Sequence, residues 1–240
     1  MKKKLDIFCF PQAGADANCF SAWQPLLLEG ANILPVTLPG RGWRIDEAAI
    51  PDFQILCDHI FAQLKGQIGH PFALLGSSMG GWMAYEIAYR LEQAGQHPAL
   101  VILLSSPTPE TRTPLPELHD PETAIADILT INPTFAEAAA YPELMEMILP
   151  TITTDFRMCN AYLPIPERRI ATPVIGLTGD IDDLAPAETM TGWQSYTTGS
   201  FELHRISGDH RLHETPSREL LDILTLRLAQ ITDGCREPGS

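Results

Sequence analysis

Three short segments hold residues whose types and spacing suit acyl-transfer chemistry. Gly76-Ser77-Ser78-Met79-Gly80 is a G-x-S-x-G pattern. A serine in that setting sits on a sharp strand-to-helix turn, and the residues two before and two after it must lack side chains. Gly76 and Gly80 meet that requirement for Ser78 and not for Ser77, so Ser78 is the candidate nucleophile. The next backbone N–H, from Met79, would open a helix and is placed to donate to an oxyanion. A serine hydroxyl needs a base to take its proton, and the base needs an orienting carboxylate. Downstream, Thr178-Gly179-Asp180-Ile181-Asp182-Asp183 offers three acids, and Gly208-Asp209-His210 offers an imidazole in a glycine-bearing turn. His210 could serve first as general base and then as general acid. His213 is its near competitor, expected as a surface or capping residue beside the last helix. Among the acids, a carboxylate three residues after the glycine is the commonest arrangement on such loops. That analogy favours Asp182, with Asp180 second.

These segments must be positioned by something, and the hydropathy pattern says what. Apolar runs of strand length alternate with helix-period segments, the signature of a mainly parallel sheet covered by helices on both faces. The strands expected are Leu5 to Phe10, Ile33 to Leu38, Phe72 to Leu75, Leu100 to Leu104, Val174 to Thr178 and Phe201 to Ile206. The helices expected are Ala17 to Glu29, Phe53 to Lys65, Met79 to Ala94, Ala187 to Tyr196 and Ser217 to Ile231. Each candidate segment then follows a strand. Between Ser106 and Arg169 ten prolines punctuate short amphipathic pieces such as Glu122 to Leu129 and Glu143 to Leu149, with no strand evident. This is too long for an ordinary loop and is expected to form a helical lid. The resulting division is a core of residues 1–105 and 170–232, a lid insertion of 106–169, and a loose tail of 233–240.

Composition narrows the function classes. The chain has 240 residues, 45% hydrophobic and 19% charged, and a formal charge of −14. No basic cluster is available for phosphates, which argues against nucleic acid, and no apolar run has the length of a membrane span. Lys2 to Lys4 resemble the start of a signal peptide, but Asp6 interrupts the apolar stretch behind them, so a cytoplasmic location is expected. Five cysteines without a C-x-x-C pair suggest neither a disulfide framework nor a thiolate metal cage, and buried packing is the default for each.

With those residues in view, the chain resembles the α/β-hydrolase superfamily and, within it, the type II thioesterases that accompany nonribosomal peptide and polyketide synthases. Phe10-Pro11-Gln12-Ala13-Gly14-Ala15 resembles the family's Phe-Pro-x-Ala-Gly-Gly. Leu38-Pro39-Gly40-Arg41-Gly42 reproduces its Leu-Pro-Gly-Arg-Gly. The resemblance implies Ser78 as nucleophile, Asp182 as orienting acid, His210 as base, and an oxyanion hole from the N–H groups of Ala13 and Met79. It implies no metal or redox cofactor, a carrier-protein partner bearing a phosphopantetheine arm, and a monomer. Three departures stand close to the site: Ser77 replaces the family's His before the nucleophile, Ala15 its second glycine, and Asp209 a glycine beside His210. A carboxylesterase or acyltransferase of the same fold would use the same residues. A non-catalytic carrier-binding module is the third reading. For docking an acidic carrier, Arg41, Arg44, Arg168, Arg169 and Arg211 are the basic candidates, with Arg41 alternatively tying its own turn to a carboxylate. Phe135, Met145, Met147, Leu149 and Phe156 are candidates to line an acyl pocket, or simply core.

Overall fold

Six strands, β1 (Leu5–Phe10), β2 (Ala31–Pro35), β3 (Phe72–Ser77), β4 (Val101–Leu104), β5 (Val174–Gly179) and β6 (Phe201–Ile206), form one sheet in the order β2-β1-β3-β4-β5-β6. Every pairing is parallel. The computed structural model describes residues 5–25, 30–69 and 71–234. A parallel sheet needs cover on both faces, so its strands are apolar on both sides. In β1, Leu5, Ile7 and Cys9 point to one face, and Phe8 and Phe10 to the other. In β3, Phe72 and Leu74 share the face of Phe8, while Ala73 and Leu75 share that of Ile7.

Helices α1 (Phe53–Leu64) and α2 (Met79–Gln93) bury Leu56, Ile60, Met83 and Ile87 against the face of Phe8 and Phe10. The segment beyond β4 holds α3 (Pro121–Ile131), α4 (Ala136–Ala139) and α5 (Pro142–Ala161), and no strand among the described residues. Leu118, Ala124, Ile128, Met145, Ile152 and Phe156 give this segment an apolar cluster of its own. After β5 come α6 (Ala187–Met190), a 3-10 turn at Thr191–Tyr196, β6 and finally α7 (Arg218–Gly234). Leu220, Leu224 and Leu228 of α7 cover the face of Leu5, Ile7 and Cys9 together with Phe20 and Trp23.

Local chemistry explains where elements differ from expectation. The first expected helix is a 3-10 turn, Ala17–Trp23, capped by the Asp16 carboxylate on Asn18 N–H. Pro25 lacks the N–H a continuing helix would need, and residues 26–29 lie outside the described ones. β2 begins two residues earlier than expected and ends at Pro35, although Val36 N–H still donates to Cys9 C=O at 2.9 Å. The helix expected over Ala187 to Tyr196 divides into α6 and the 3-10 turn. α7 runs to Gly234, past the expected start of the tail, and residues 235–240 lie outside the described ones.

Candidate active site

The turn between β3 and α2 is built by exclusion. A Cβ on Gly76 would lie 2.0 Å from Gly80 C=O oxygen, and one on Gly80 would lie 2.1 Å from Phe10 C=O oxygen. Only glycine fits either place. Ser78 between them has φ 52° and ψ −118°, a conformation costly for a residue with a side chain. Hydrogen bonds hold it there: Ser78 N–H donates to Leu104 C=O at 2.9 Å, and Ser78 C=O accepts from Ser106 Oγ at 2.8 Å and Gly81 N–H at 2.9 Å. Met79 follows as the first residue of α2, where a helix leaves its backbone N–H groups without intrahelical partners.

Asp182 lies beyond the end of β5 and is buried. Its carboxylate faces His210 Nδ1, at 2.9 Å from Oδ1 and 3.1 Å from Oδ2, and Oδ1 also accepts from the N–H groups of Leu184 and Ala185. Burial raises the pKa of this acid, but the hydrogen bonds from His210 and from Ala185 N–H and the nearby imidazole outweigh it, and the net direction is down. The competing acids do other things. Asp180 is exposed and accepts from Gly208 N–H at 3.0 Å, tying the acid loop to the turn that carries His210. Asp183 is exposed.

Ser78, Met79, Ala13 and His210 line one cavity, which holds about 780 Å³ of empty space with its open mouth included. Trp82, Leu115, Ile128, Phe135 and Phe156 supply apolar wall, and Arg112, Arg211, Asn132 and Gln12 supply polar groups. The loop bearing Ala13 is fastened from outside: Gly14 N–H donates to Asp155 Oδ2 at 2.8 Å. Of the apolar residues expected at a pocket, Phe135 and Phe156 line the cavity, Met145 sits in the core of the 106–169 segment with Leu149 packed against it, and Met147 is 52% exposed.

Several expectations are corrected. His213 is neither a surface nor a capping residue: it is 1% exposed, with Nδ1 2.9 Å from Ser77 Oγ. Desolvation, with His210 and Arg211 nearby, lowers its pKa to about 3. It is therefore neutral across the ordinary range and bonded to a serine that is itself fully buried. Arg41 and Arg44 are 6% and 5% exposed and cannot form a docking patch. Arg168 bonds Glu86, and Arg211 bonds Asp209. That pairing also shows what the Asp209 departure does, since its carboxylate engages the Arg211 guanidinium at 2.5 Å and backbone N–H at 2.9 Å. The sequence reading missed Asp155, which anchors the Ala13 loop from 141 residues away; no local pattern marks it. Cys9, Cys57 and Cys159 are buried as expected, and Cys235 lies outside the described residues. Among the described residues no group of three or more His, Cys, Asp and Glu could hold a metal ion, and no helix is long and apolar enough to cross a membrane.

A parallel sheet with a serine on a glycine-flanked turn at its carboxyl edge, and a buried carboxylate paired with a partly buried imidazole on the loops alongside, defines an α/β hydrolase. The chain belongs to the thioesterase domain family, whose model matches residues 6–225. It is 34% identical over 205 residues to the "Probable cadicidin biosynthesis thioesterase" of Streptomyces griseus, covering 85% of this chain and 57% of that protein, so it spans little more than half of that relative's length. Among solved structures it is similar to the RedJ thioesterase of the prodiginine pathway in Streptomyces coelicolor, with a TM-score of 0.85 and 29% identity over 94% of this chain and 91% of that one. It is likewise similar to BorB, a type II thioesterase from the borrelidin biosynthetic cluster, with a TM-score of 0.85 and 28% identity over 95% of this chain and 94% of that one.

Proposed function

We propose that the chain is a type II, editing thioesterase that releases acyl groups from the phosphopantetheine arm of carrier proteins in nonribosomal peptide or polyketide synthesis. The observation that supports this best is the joint placement of Ser78, His210, Met79 and Ala13 on one largely apolar cavity, with Asp182 behind His210. In this reading His210 takes the Ser78 proton as the hydroxyl attacks the thioester carbonyl. The oxyanion is met by the N–H groups of Met79 and Ala13. The pantetheine thiol leaves with the proton from His210, and water, deprotonated by His210, cleaves the acyl-enzyme and frees the acid. Asp182 holds the imidazole by Nδ1, leaving Nε2 to face the serine. The steps use protein groups alone, without metal or redox cofactor. The segment 106–169 acts as the lid over the acyl chain, contributing Ile128, Phe135 and Phe156 to the wall.

The relatives named for biosynthetic pathways support the carrier-protein partner and do not identify the synthase. The test is release of a panel of acyl groups presented on holo carrier protein and as free pantetheine thioesters, with Ser78→Ala alongside. Turnover by the parent alone supports the reading. Preference for simple oxygen esters would move it to a carboxylesterase of the same fold. Binding without turnover in both would move it to a carrier-binding module.

A further inference from the structure

Ser77 is the last residue of β3 and immediately precedes Ser78; His213 stands three residues after His210. The strand alternation turns Ser77 to the face opposite α1 and α2, where His213 meets it. Ser77 Oγ and His213 Nδ1 are 2.9 Å apart, in a place where Ser77 is 0% and His213 1% exposed. The imidazole packs at 5.9 Å on the Phe20 ring, the His213 carbonyl accepts from Trp23 Nε1 at 2.7 Å, and His213 Nε2 is buried with no hydrogen-bond partner among the described residues. Among the described residues, Ser77 Oγ is the one hydrogen-bond partner of the ring.

We propose that Ser77 and His213 are positioning residues that set the separation between the nucleophile and its base. This deepens the reading of Ser78 and His210 given above and rests on it. The turn that carries His210 is tied at both ends. At its start Gly208 N–H donates to Asp180 and Gly208 C=O accepts from Ile181 N–H at 3.1 Å, which fastens it to the acid loop. At its end His213 fastens it to the strand that presents Ser78. A neutral buried hydrogen bond is worth little net stability, and an apolar pair of the same shape would pack here without burying an unpartnered ring nitrogen. What the polar pair adds over apolar contact is direction and a fixed distance. A displacement of about 1 Å between reacting groups can cost about a hundredfold in rate, so a partial slackening is expected to cost about tenfold.

The experiment measures the rate at which a fluorophosphonate phosphonylates the serine with loss of fluoride, together with kcat and KM for an acyl-pantetheine thioester and the melting temperature. The variants are Ser77→Ala, His213→Leu and the pair combined. The expected result is a loss of about tenfold in phosphonylation rate and kcat for each single variant, with KM unchanged in Ser77→Ala, and no further loss in the double variant. Ser77→Thr, which keeps the hydroxyl, should recover most of the rate lost in Ser77→Ala. Single losses that multiply in the double variant, or variants whose melting temperature falls while phosphonylation keeps the parent rate, would overturn the proposal. If His213→Leu does not fold, the comparison of Ser77→Ala with Ser77→Thr decides alone. Ser78→Ala is labelled in parallel: persistent labelling would sink the reading of the nucleophile itself, whatever Ser77 does.

Discussion

Arg41 lays both terminal nitrogens of its guanidinium on the Asp155 carboxylate, at 2.6 and 2.8 Å, across 114 positions of sequence. The pair joins the turn after β2 to helix α5, and both partners are buried. Asp155 also holds Gly14 N–H, and Arg41 Nη1 donates to Ala15 C=O at 3.2 Å, so one ion pair links the 106–169 segment to the loop bearing Ala13. Removing one partner of such a pair strands the other charge in a dry site. Asp155→Ala is expected to cost about 3–5 kcal/mol of stability. Where the variant folds, kcat should fall further than KM changes, because the loop that carries the proposed oxyanion donor loses its anchor. Denaturant unfolding and steady-state kinetics on the same preparation check both halves.

The two candidate acids are separable by substitution. Asp182→Asn keeps shape but removes the charge that favours the imidazolium, and a loss of about 10³–10⁴-fold in kcat is expected, as for a triad acid. Asp180→Asn retains an oxygen that can accept from Gly208 N–H, so its loss should stay within about tenfold. Equal losses at the two positions, measured by single-turnover hydrolysis, would undo the assignment of Asp182.

What could be read from residues alone was the part governed by neighbours in sequence. The elbow at Ser78 is a property of Gly76 and Gly80, and β6 was legible to the residue because Phe201, Leu203 and Ile206, spaced by polar residues, are bounded by Gly199 and Gly208. Asp182 stood out from Asp180 only by analogy, since three carboxylates within four residues are locally equivalent; burial and a hydrogen bond from another loop separate them. Asp155 and His213 were illegible for the same reason. Each owes its role to a partner over a hundred residues away, Gly14 for one and Ser77 for the other. The first helix was misjudged because hydropathy alone does not distinguish a 3-10 turn ahead of a proline from the start of an α-helix.

Gly80 has no room for a Cβ, and substitution tests this. Gly80→Ala would drive a Cβ to 2.1 Å from Phe10 C=O oxygen and 2.7 Å from Pro11 C=O oxygen, both backbone atoms that cannot yield without moving β1. A loss of about 4 kcal/mol or more, or failure to fold, is expected. Gly95→Ala is the control: its φ of +78° is strained for alanine, but nothing lies within 4 Å of the added carbon. A cost of about 1–2 kcal/mol is expected there, with activity retained. Thermal unfolding of the two variants against the parent measures the difference.

His213 predicts how stability responds to acid. Desolvation lowers its pKa in the folded chain to about 3, with His210 and Arg211 acting in the same direction and Asp209 against. In the unfolded chain a histidine titrates at about 6.5. The folded state therefore binds fewer protons between these values, and stability falls as pH falls through that window. The contribution is fully present above about pH 6.5 and amounts to about 2 kcal/mol lost by pH 5. His213→Leu removes the titrating group, so its unfolding free energy should change less between pH 7 and pH 5 than that of the parent. Urea unfolding at the two pH values for both proteins checks this. Parallel slopes would mean that the imidazole finds a proton and a partner inside the folded chain, and that Ser77 is not its sole tether.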